Sequence, residues 1–375
     1  MRLGFCTPFR PLDHPRLSGD VTIARDLFEF FLRQGHTLIQ SPDLASQWIY
    51  WRPWRWPAYL AARRATRRLC QRQELSAWFT YHSYYKAPDL LGRYVKNALG
   101  VPYFIFAGAH AAGRRKSIKT WPGYHLNKRA LLAADHVFAN RQKDRTHLLE
   151  ILPPERVAYV RPGLKTKDFV FSSSARDRLR KEWGWAGGPV VVTVAALRPG
   201  TKSEGVRWVI RACAELAAKG PFAGLAVAGD GVEQVSLERY ARELLPGRVR
   251  FLGRVAREKL FEVYSAGDVF AFPGINEALG MVYLEAQSCG LPVAAWDHDG
   301  APQVVEDGKT GFITPSYDQA AYVEALGTLL WDADCRNAMS EAAKKHVRDK
   351  HELHTNLSAM EAIMLEAMEK PGQGR

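Results

Sequence analysis

A chain of 375 residues is longer than one hydrophobic core usually organises, so two domains are expected. Apolar residues make up 47% and charged residues 24%, which excludes a disordered chain, and nowhere do about 18 apolar residues run together to span a membrane. The 52 Lys and Arg against 39 acids give a net charge of +13, concentrated in the first half, which favours a polyanionic partner: nucleic acid, an anionic membrane face or a phosphorylated substrate.

The opening MRLGFCTPFRP carries no apolar run of the length a secretory signal needs. Arg2 to Cys6 reads as a strand, and the Pro- and Gly-containing loop PLDHPRLSGD leads to an amphipathic helix from about Val21 to Arg33, with Ser18 or Asp20 as its cap. Thr37 to Gln40 follows as a short strand. Ala77–His82, Val101–Gly108 and His136–Asn140 read as buried strands between helical stretches, and Val157–Gly163 as the next. Residues Arg161 to Asp177 read as a linker. The alternation then restarts. Strands are expected at Pro189–Leu197, Leu225–Gly231, Val249–Gly253, Val269–Gly274, Leu291–Trp296 and Thr310–Pro315, with a helix at Val206–Gly220 stopped by its glycine. This spacing implies α/β architecture with parallel sheets, and two such blocks in tandem place a cleft at the carboxyl ends of the strands. A closing helix, about His354 to Glu369, is expected to return to the first block. Cys6, Cys70, Cys213, Cys289 and Cys335 form no CxxC pair, which argues against a zinc site or a disulfide framework and suits a reducing cytoplasm.

The densest motif runs from Pro273 to Pro315, PGINEALGMVYLEAQSCGLPVAAWDHDGAPQVVEDGKTGFITP. Glu277 stands in a glycine-bearing loop before a helix opened by Gly280 and Met281, and Glu285 lies on that helix. Such a loop offers a carboxylate and backbone N–H groups to one ligand, and the helix N-terminus favours negative charge on it. Carboxylates accept paired hydroxyl hydrogen bonds, which suits sugars and riboses.

On these residues the chain resembles the family-4 glycosyltransferases, the retaining group with the GT-B fold, including their E-x7-E pattern. The similarity extends over VVVTVAALRPGTKSEGVRWVIRA, LAVAGDG and VRFLGRV, is strong from about Val157 to Thr314, and is weaker before that. It implies two facing Rossmann-like domains with an interdomain cleft: residues 1–165 for the acceptor and 166–353 for a nucleotide-sugar donor. It also implies transfer from a UDP- or GDP-sugar to a glycan or lipid-linked acceptor, with no metal and no further cofactor, of the kind used in bacterial cell-surface polysaccharide or lipopolysaccharide synthesis. Glu277 would contact donor-sugar hydroxyls, Ala278, Leu279 and Gly280 would offer N–H groups to sugar and phosphate, and Glu285 would hold the ribose. Arg198 and Lys202 would stabilise charge growing on the leaving phosphate, although the family's common Lys-Gly pair is here Lys202-Ser203-Glu204-Gly205. Gly19 matches the glycine loop that approaches the phosphates. His110 would contact the sugar near the reacting carbon, with His82 as its rival, and Lys165 is a candidate phosphate neighbour.

From Trp48 to Arg72 the chain reads WIYWRPWRWPAYLAARRATRRLCQR, without an acidic residue. A helix over Tyr59–Arg72 puts Arg63, Arg64, Arg67 and Arg68 along one side and Ala62, Ala65 and Leu69 opposite, after Trp48, Trp51, Trp54 and Trp56. The cluster GRRKSIKTWPGYHLNKR (Gly113–Arg129) repeats the mixture. Basic charge with interfacial tryptophan fits peripheral docking on the inner leaflet of an anionic membrane, with Trp51, Trp54 and the four arginines facing it. Three rivals stand beside the transferase. A nucleic-acid-binding protein matches the charge but has no recognisable binding motif; a nucleotide-sugar epimerase shares the fold; an oxidoreductase lacks GxGxxG after the first strand.

Overall fold

The computed structural model describes residues 1–12, 19–185 and 187–369. The chain divides into two compact units: Met1–Arg161 together with the segment from His354 onward, and Pro162–Leu353.

The N-terminal unit holds six parallel strands, β1 (Arg2–Cys6), β2 (Thr37–Gln40), β3 (Ala77–Tyr81), β4 (Tyr103–Phe106), β5 (His136–Ala139) and β6 (Val157–Tyr159), in the order β2-β1-β3-β4-β5-β6. β3, β4 and β5 are buried along their whole length, as parallel strands covered by helices on both faces must be. Trp78, Tyr103, Ile105, Leu131 and Val137 belong to one apolar cluster under them. The first helix, Gly19–Arg33, starts earlier than Val21 and takes Asp20 into its first turn, where the carboxylate meets the positive end of the helix. The expected cap Ser18 and the loop residues 13–18 lie outside the described residues. The closing helix, Leu353–Glu369, buries Leu357, Met360 and Met364. It meets the first helix where His354 packs edge-on against Phe30 at 5.4 Å; just past the end of that helix Gln34 donates to Ser358 Oγ at 3.3 Å and His36 pairs with Glu361.

A second six-stranded parallel sheet forms the C-terminal unit: β7 (Val190–Val194), β8 (Gly224–Ala228), β9 (Val249–Phe251), β10 (Val269–Ala271), β11 (Val293–Trp296) and β12 (Gly311–Thr314). The order β12-β11-β10-β7-β8-β9 reverses between β7 and β10, which pair in parallel through Val191–Val269 and Val192–Phe270. At such a reversal the following loops diverge to opposite sides, opening a crevice at the carboxyl ends of the two strands.

Two sequence expectations are corrected here. The stretch read as a linker to Asp177 already contains a helix, Ser173–Trp183, begun by Ser172 accepting from Ala175 N at 3.2 Å. Arg176 and Arg180 of that helix both bind Asp268 at the start of β10, so a polar segment that reads as solvated is bolted to the sheet. In the helix Trp56–Gln73, Ala65 is exposed, and Ala62, Thr66 and Cys70 form the buried stripe.

Candidate active site

Two loops converge on the crevice between β7 and β10. The first leaves β7, runs through Arg198 and enters the helix Thr201–Ala217, whose first turn carries Lys202. Gly205 sits where a Cβ would come 2.8 Å from the Phe272 ring, so glycine one turn into this helix lets it close on the end of β10. Ser203 is buried and donates to Arg198 O at 2.7 Å, fixing the turn. The inserted Ser203-Glu204 of the motif therefore belongs to a formed helix start.

The second loop leaves β10 at Phe272 and enters the helix Met281–Ser288 through Gly280. Gly280 adopts φ 71°, and a Cβ there would lie 2.6 Å from Val304 Cγ2. A side chain would meet both the left-handed penalty and a clash. The Glu277 carbonyl accepts from Gly300 N at 2.7 Å, pinning the loop after β11 against this one. Among the described residues the N–H groups of Ala278, Leu279 and Gly280 have no protein acceptor. Three free donors leading into a helix N-terminus form a cradle for an anion.

Lys202 Nζ forms an ion pair with Glu277 and lies 5.2 Å above the Phe272 ring, so cation and carboxylate from the two loops meet at the reversal point. Arg198 is exposed on the first of these loops, where its carbonyl accepts from Ser203. Glu285 is 3% exposed, with Tyr264 Oη donating to Oε2 at 3.0 Å and Arg257 at 3.2 Å from Oε1. Burial raises its pKa above the usual carboxylate value, and Arg257 and Tyr264 pull the other way. Neither Arg257 nor Tyr264 carries a motif that marks it in the sequence; the need of a buried carboxylate for partners is the signal that finds them.

A cavity of about 240 Å³ opens at the ends of β7 and β8, lined by Ala195, Lys202, Gly229, Asp230, Arg254 and Val282. Backbone bonds shape its walls: Leu197 N donates to Asp230 O at 2.9 Å and Gly229 N to Gly253 O at 2.8 Å. A larger groove of about 980 Å³ runs along Glu215, Gly327 and Trp331 on the helical flank, away from the strand ends.

Comparison with known proteins decides the family. The glycosyl transferases group 1 profile matches residues 175–346, which spans β7 to β12 and both loops. The D-inositol 3-phosphate glycosyltransferase of Corynebacterium jeikeium is 32% identical over 293 residues, covering 73% of this chain and 69% of that one. This chain is a member of the group 1 glycosyltransferases. A GDP-mannose-dependent alpha-(1-6)-phosphatidylinositol monomannoside mannosyltransferase of Mycolicibacterium smegmatis is 36% identical over 211 residues, 54% of each chain, so the match spans about half of that relative. Sucrose-phosphate synthase of Thermosynechococcus elongatus shares the GT-B fold with a TM-score of 0.75 and 17% identity, over 98% of this chain and 100% of the other.

In this group 1 glycosyltransferase the N-terminal candidates sit in contrasting surroundings. His110 is 2% exposed and packs on Tyr124 at 5.4 Å, and burial lowers its pKa. His82, its rival, closes β3 in a left-handed conformation, φ 63°, with its ring stacked on Tyr84 and Nδ1 3.3 Å from Asp20 Oδ1. That contact pulls the Asp20 pKa down. A non-glycine residue held at positive φ beside an acid and partly open to solvent marks a site under constraint. The two histidine loops are tied together: Ala109 N donates to Ser83 O at 3.0 Å, Ser83 Oγ to Asn127, and Asn127 Nδ2 back to Ala109 O at 2.8 Å. Gly19 opens the first helix, and among the described residues nothing lies within 4 Å of where a Cβ would stand there. Lys165 is half-buried at the start of the C-terminal unit, just before the turn Thr166–Asp168.

Proposed function

We propose that this chain moves a sugar from a UDP- or GDP-sugar to a hydroxyl of a glycan or lipid-linked acceptor, with retention of anomeric configuration and without a metal, in the assembly of bacterial surface polysaccharide or lipopolysaccharide. The observation that carries the reading is the meeting of Lys202 and Glu277 at the β7/β10 reversal, beside the free amides of Ala278, Leu279 and Gly280. The relatives support it by the activities they are named for, a GDP-mannose-dependent mannosyltransferase and a D-inositol 3-phosphate glycosyltransferase.

In this reading the cavity beside Asp230 and Arg254 takes the base, Glu285 takes the ribose hydroxyls, and the diphosphate lies over the amide cradle within reach of Lys202 and Arg198. The bond from the anomeric carbon to the β-phosphate oxygen breaks, and its electron pair leaves with the phosphate. The acceptor oxygen bonds to the anomeric carbon on the same face, and its proton passes to the departing phosphate. The two cations offset the charge that grows on that phosphate, in place of a metal. Freed from Lys202 as the diphosphate arrives, Glu277 turns its oxygens to the sugar hydroxyls.

The test is a thermal-shift screen of nucleotides on wild type and Lys202→Ala, followed by turnover with the matching sugar conjugate. One nucleoside diphosphate should stabilise the wild type by about 2.7 kcal/mol at a hundredfold excess over its Kd. Lys202→Ala should cut turnover by roughly 10²–10³-fold, and EDTA should leave the wild-type rate unchanged. No shift with any nucleoside diphosphate would overturn the reading.

A further inference from the structure

The basic, tryptophan-rich segment and the cluster near Trp121 are far apart in sequence, and apart from Tyr124 and Asn127, which support the histidine loops, neither contributes to the site described above. The fold joins them. Trp51 Nε1 donates to Lys119 O at 2.8 Å, and Lys119 Nζ lies 5.8 Å above the Trp48 ring. Around this junction Trp51, Trp54, Trp56, Leu60, Ile118 and Trp121 are all exposed, Trp54 to 73% and Ile118 to 84%. Large apolar side chains gathered on one unit of a water-facing protein are unusual and mark a contact surface.

The charge around them has one sign. No acid occurs between Asp43 and Glu74, nor between Asp89 and Asp135. On the helix Trp56–Gln73 the buried stripe of Ala62, Thr66 and Cys70 turns Arg64, Arg67 and Arg68 outward on the side that continues from Leu60. Arg114, Arg115 and Lys116 flank Ile118 on the second segment, also exposed. Arg63 and Arg114 depart from this set, because their guanidinium groups lie on Tyr94 at 4.2 Å and on Tyr85 at 4.7 Å and are held by the unit itself.

We infer that this face docks on an anionic phospholipid bilayer, with the tryptophans, Leu60 and Ile118 entering the headgroup boundary and the arginine row lying on the phosphates. The aliphatic members decide against nucleic acid. Leu60 and Ile118 have no π-face on which a base can stack, whereas the acyl boundary takes them readily. The exposed indoles suit the same boundary: Trp51 and Trp56 keep their N–H groups bonded, to Lys119 O and Ile49 O, while their rings stay outside. Docking here goes beyond the donor reading and does not depend on which sugar is moved.

The experiment is co-sedimentation of the full chain with phosphatidylcholine vesicles, with and without phosphatidylglycerol, for wild type, Trp54→Glu/Ile118→Glu and Arg64→Gln/Arg67→Gln/Arg68→Gln. Wild type should bind the anionic vesicles at least about tenfold more strongly than the neutral ones, in a salt-sensitive way, and each variant should lose about tenfold or more. An unchanged melting temperature and nucleotide-induced shift in the variants show that they fold and keep the donor site. Two results would overturn the inference: equal binding of wild type to both vesicle types, or binding of a short single-stranded RNA that excludes vesicles and is lost in the Trp54/Ile118 variant. Because the nucleotide shift is read separately, failure of docking and failure of the donor reading are distinguishable.

Discussion

At Glu285 the proposed ribose contact is set against stability at one residue. Burial raises its pKa, with Arg257 and Tyr264 only opposing that shift, so the folded state binds the carboxyl proton more tightly than the unfolded chain does. The sign follows from linkage: this group's contribution to stability is fully present below the ordinary value of 4.5 and is lost as pH rises through the raised folded value. Near neutrality the ionised carboxylate is a cost that folding alone would not retain. Glu285→Gln should therefore melt no lower than wild type at pH 7, with the comparison moving toward the variant as pH rises above 4.5, because Tyr264 can still donate to the amide oxygen and half-exposed Arg257 is solvated. The same variant should lose the nucleotide-induced shift. Melting curves across pH with and without nucleotide check both; a variant that melts several degrees lower and keeps its nucleotide response would refute the argument. At this scale the sequence marks Glu277, Glu285 and Lys202 as candidates, since each sits at a fixed offset from a glycine or a strand end. It did not show Arg257 and Tyr264, which meet Glu285 only after β9 and the helix Leu260–Ala266 have packed. Nor did spacing separate His82 from His110, because what distinguishes them is a positive φ on one and full burial of the other.

Among the elements, β5 carries a built-in sensitivity to acid. His136 is buried, its Nε2 has no hydrogen-bond partner among the described residues, and burial with the nearby Arg156 pushes its pKa down to about 4. The neutral ring belongs to the fold, and stability is lost as pH falls from the ordinary 6.5 through about 4, where the unfolded chain takes a proton that the folded one refuses. The full effect is on the order of 3 kcal/mol. Since the ring stacks on Phe138 at 4.7 Å, His136→Phe should match wild type at pH 8 and melt higher at pH 5. Urea titrations at the two pH values measure the difference; an equal gap at both would assign the effect to packing. Strands of this kind were readable from sequence because fully buried parallel strands are short apolar runs with glycine or proline at their ends. Their bounds came out longer than the paired segments, since apolar residues continue past the last ladder bond into the loops that build the site. The helix Ser173–Trp183 was missed for the opposite reason: its polar face is spent on Asp268, a partner more than eighty residues away.

Across the whole molecule, the chain builds one α/β unit, then the second, and returns to the first. The tandem repeat was legible because the strand–helix alternation restarts after Gly187, and the returning helix was legible from its apolar spacing. What the sequence withholds is the set of partners that receive that helix. Leu353–Glu369 buries Leu357, Met360 and Met364 within the N-terminal unit, and meets its first helix through Phe30–His354, with Gln34–Ser358 and His36–Glu361 just past the end of that helix. The C-terminal unit has its own apolar cluster, from Val190 through Leu225, Phe270 and Leu326 to Val347. A cavity made under the returning helix should thus weaken the unit at the start of the sequence rather than the unit that immediately precedes the helix. Met360→Ala removes a fully buried side chain, a loss of about 2–5 kcal/mol. Hydrogen exchange read by segment should speed up in Gly19–Arg33, β1 and β2, and change far less in β7, β8 and β10. Equal acceleration in both sets, or a change confined to β7–β12, would mean that the returning helix stabilises the chain by some route other than its contacts with the first helix.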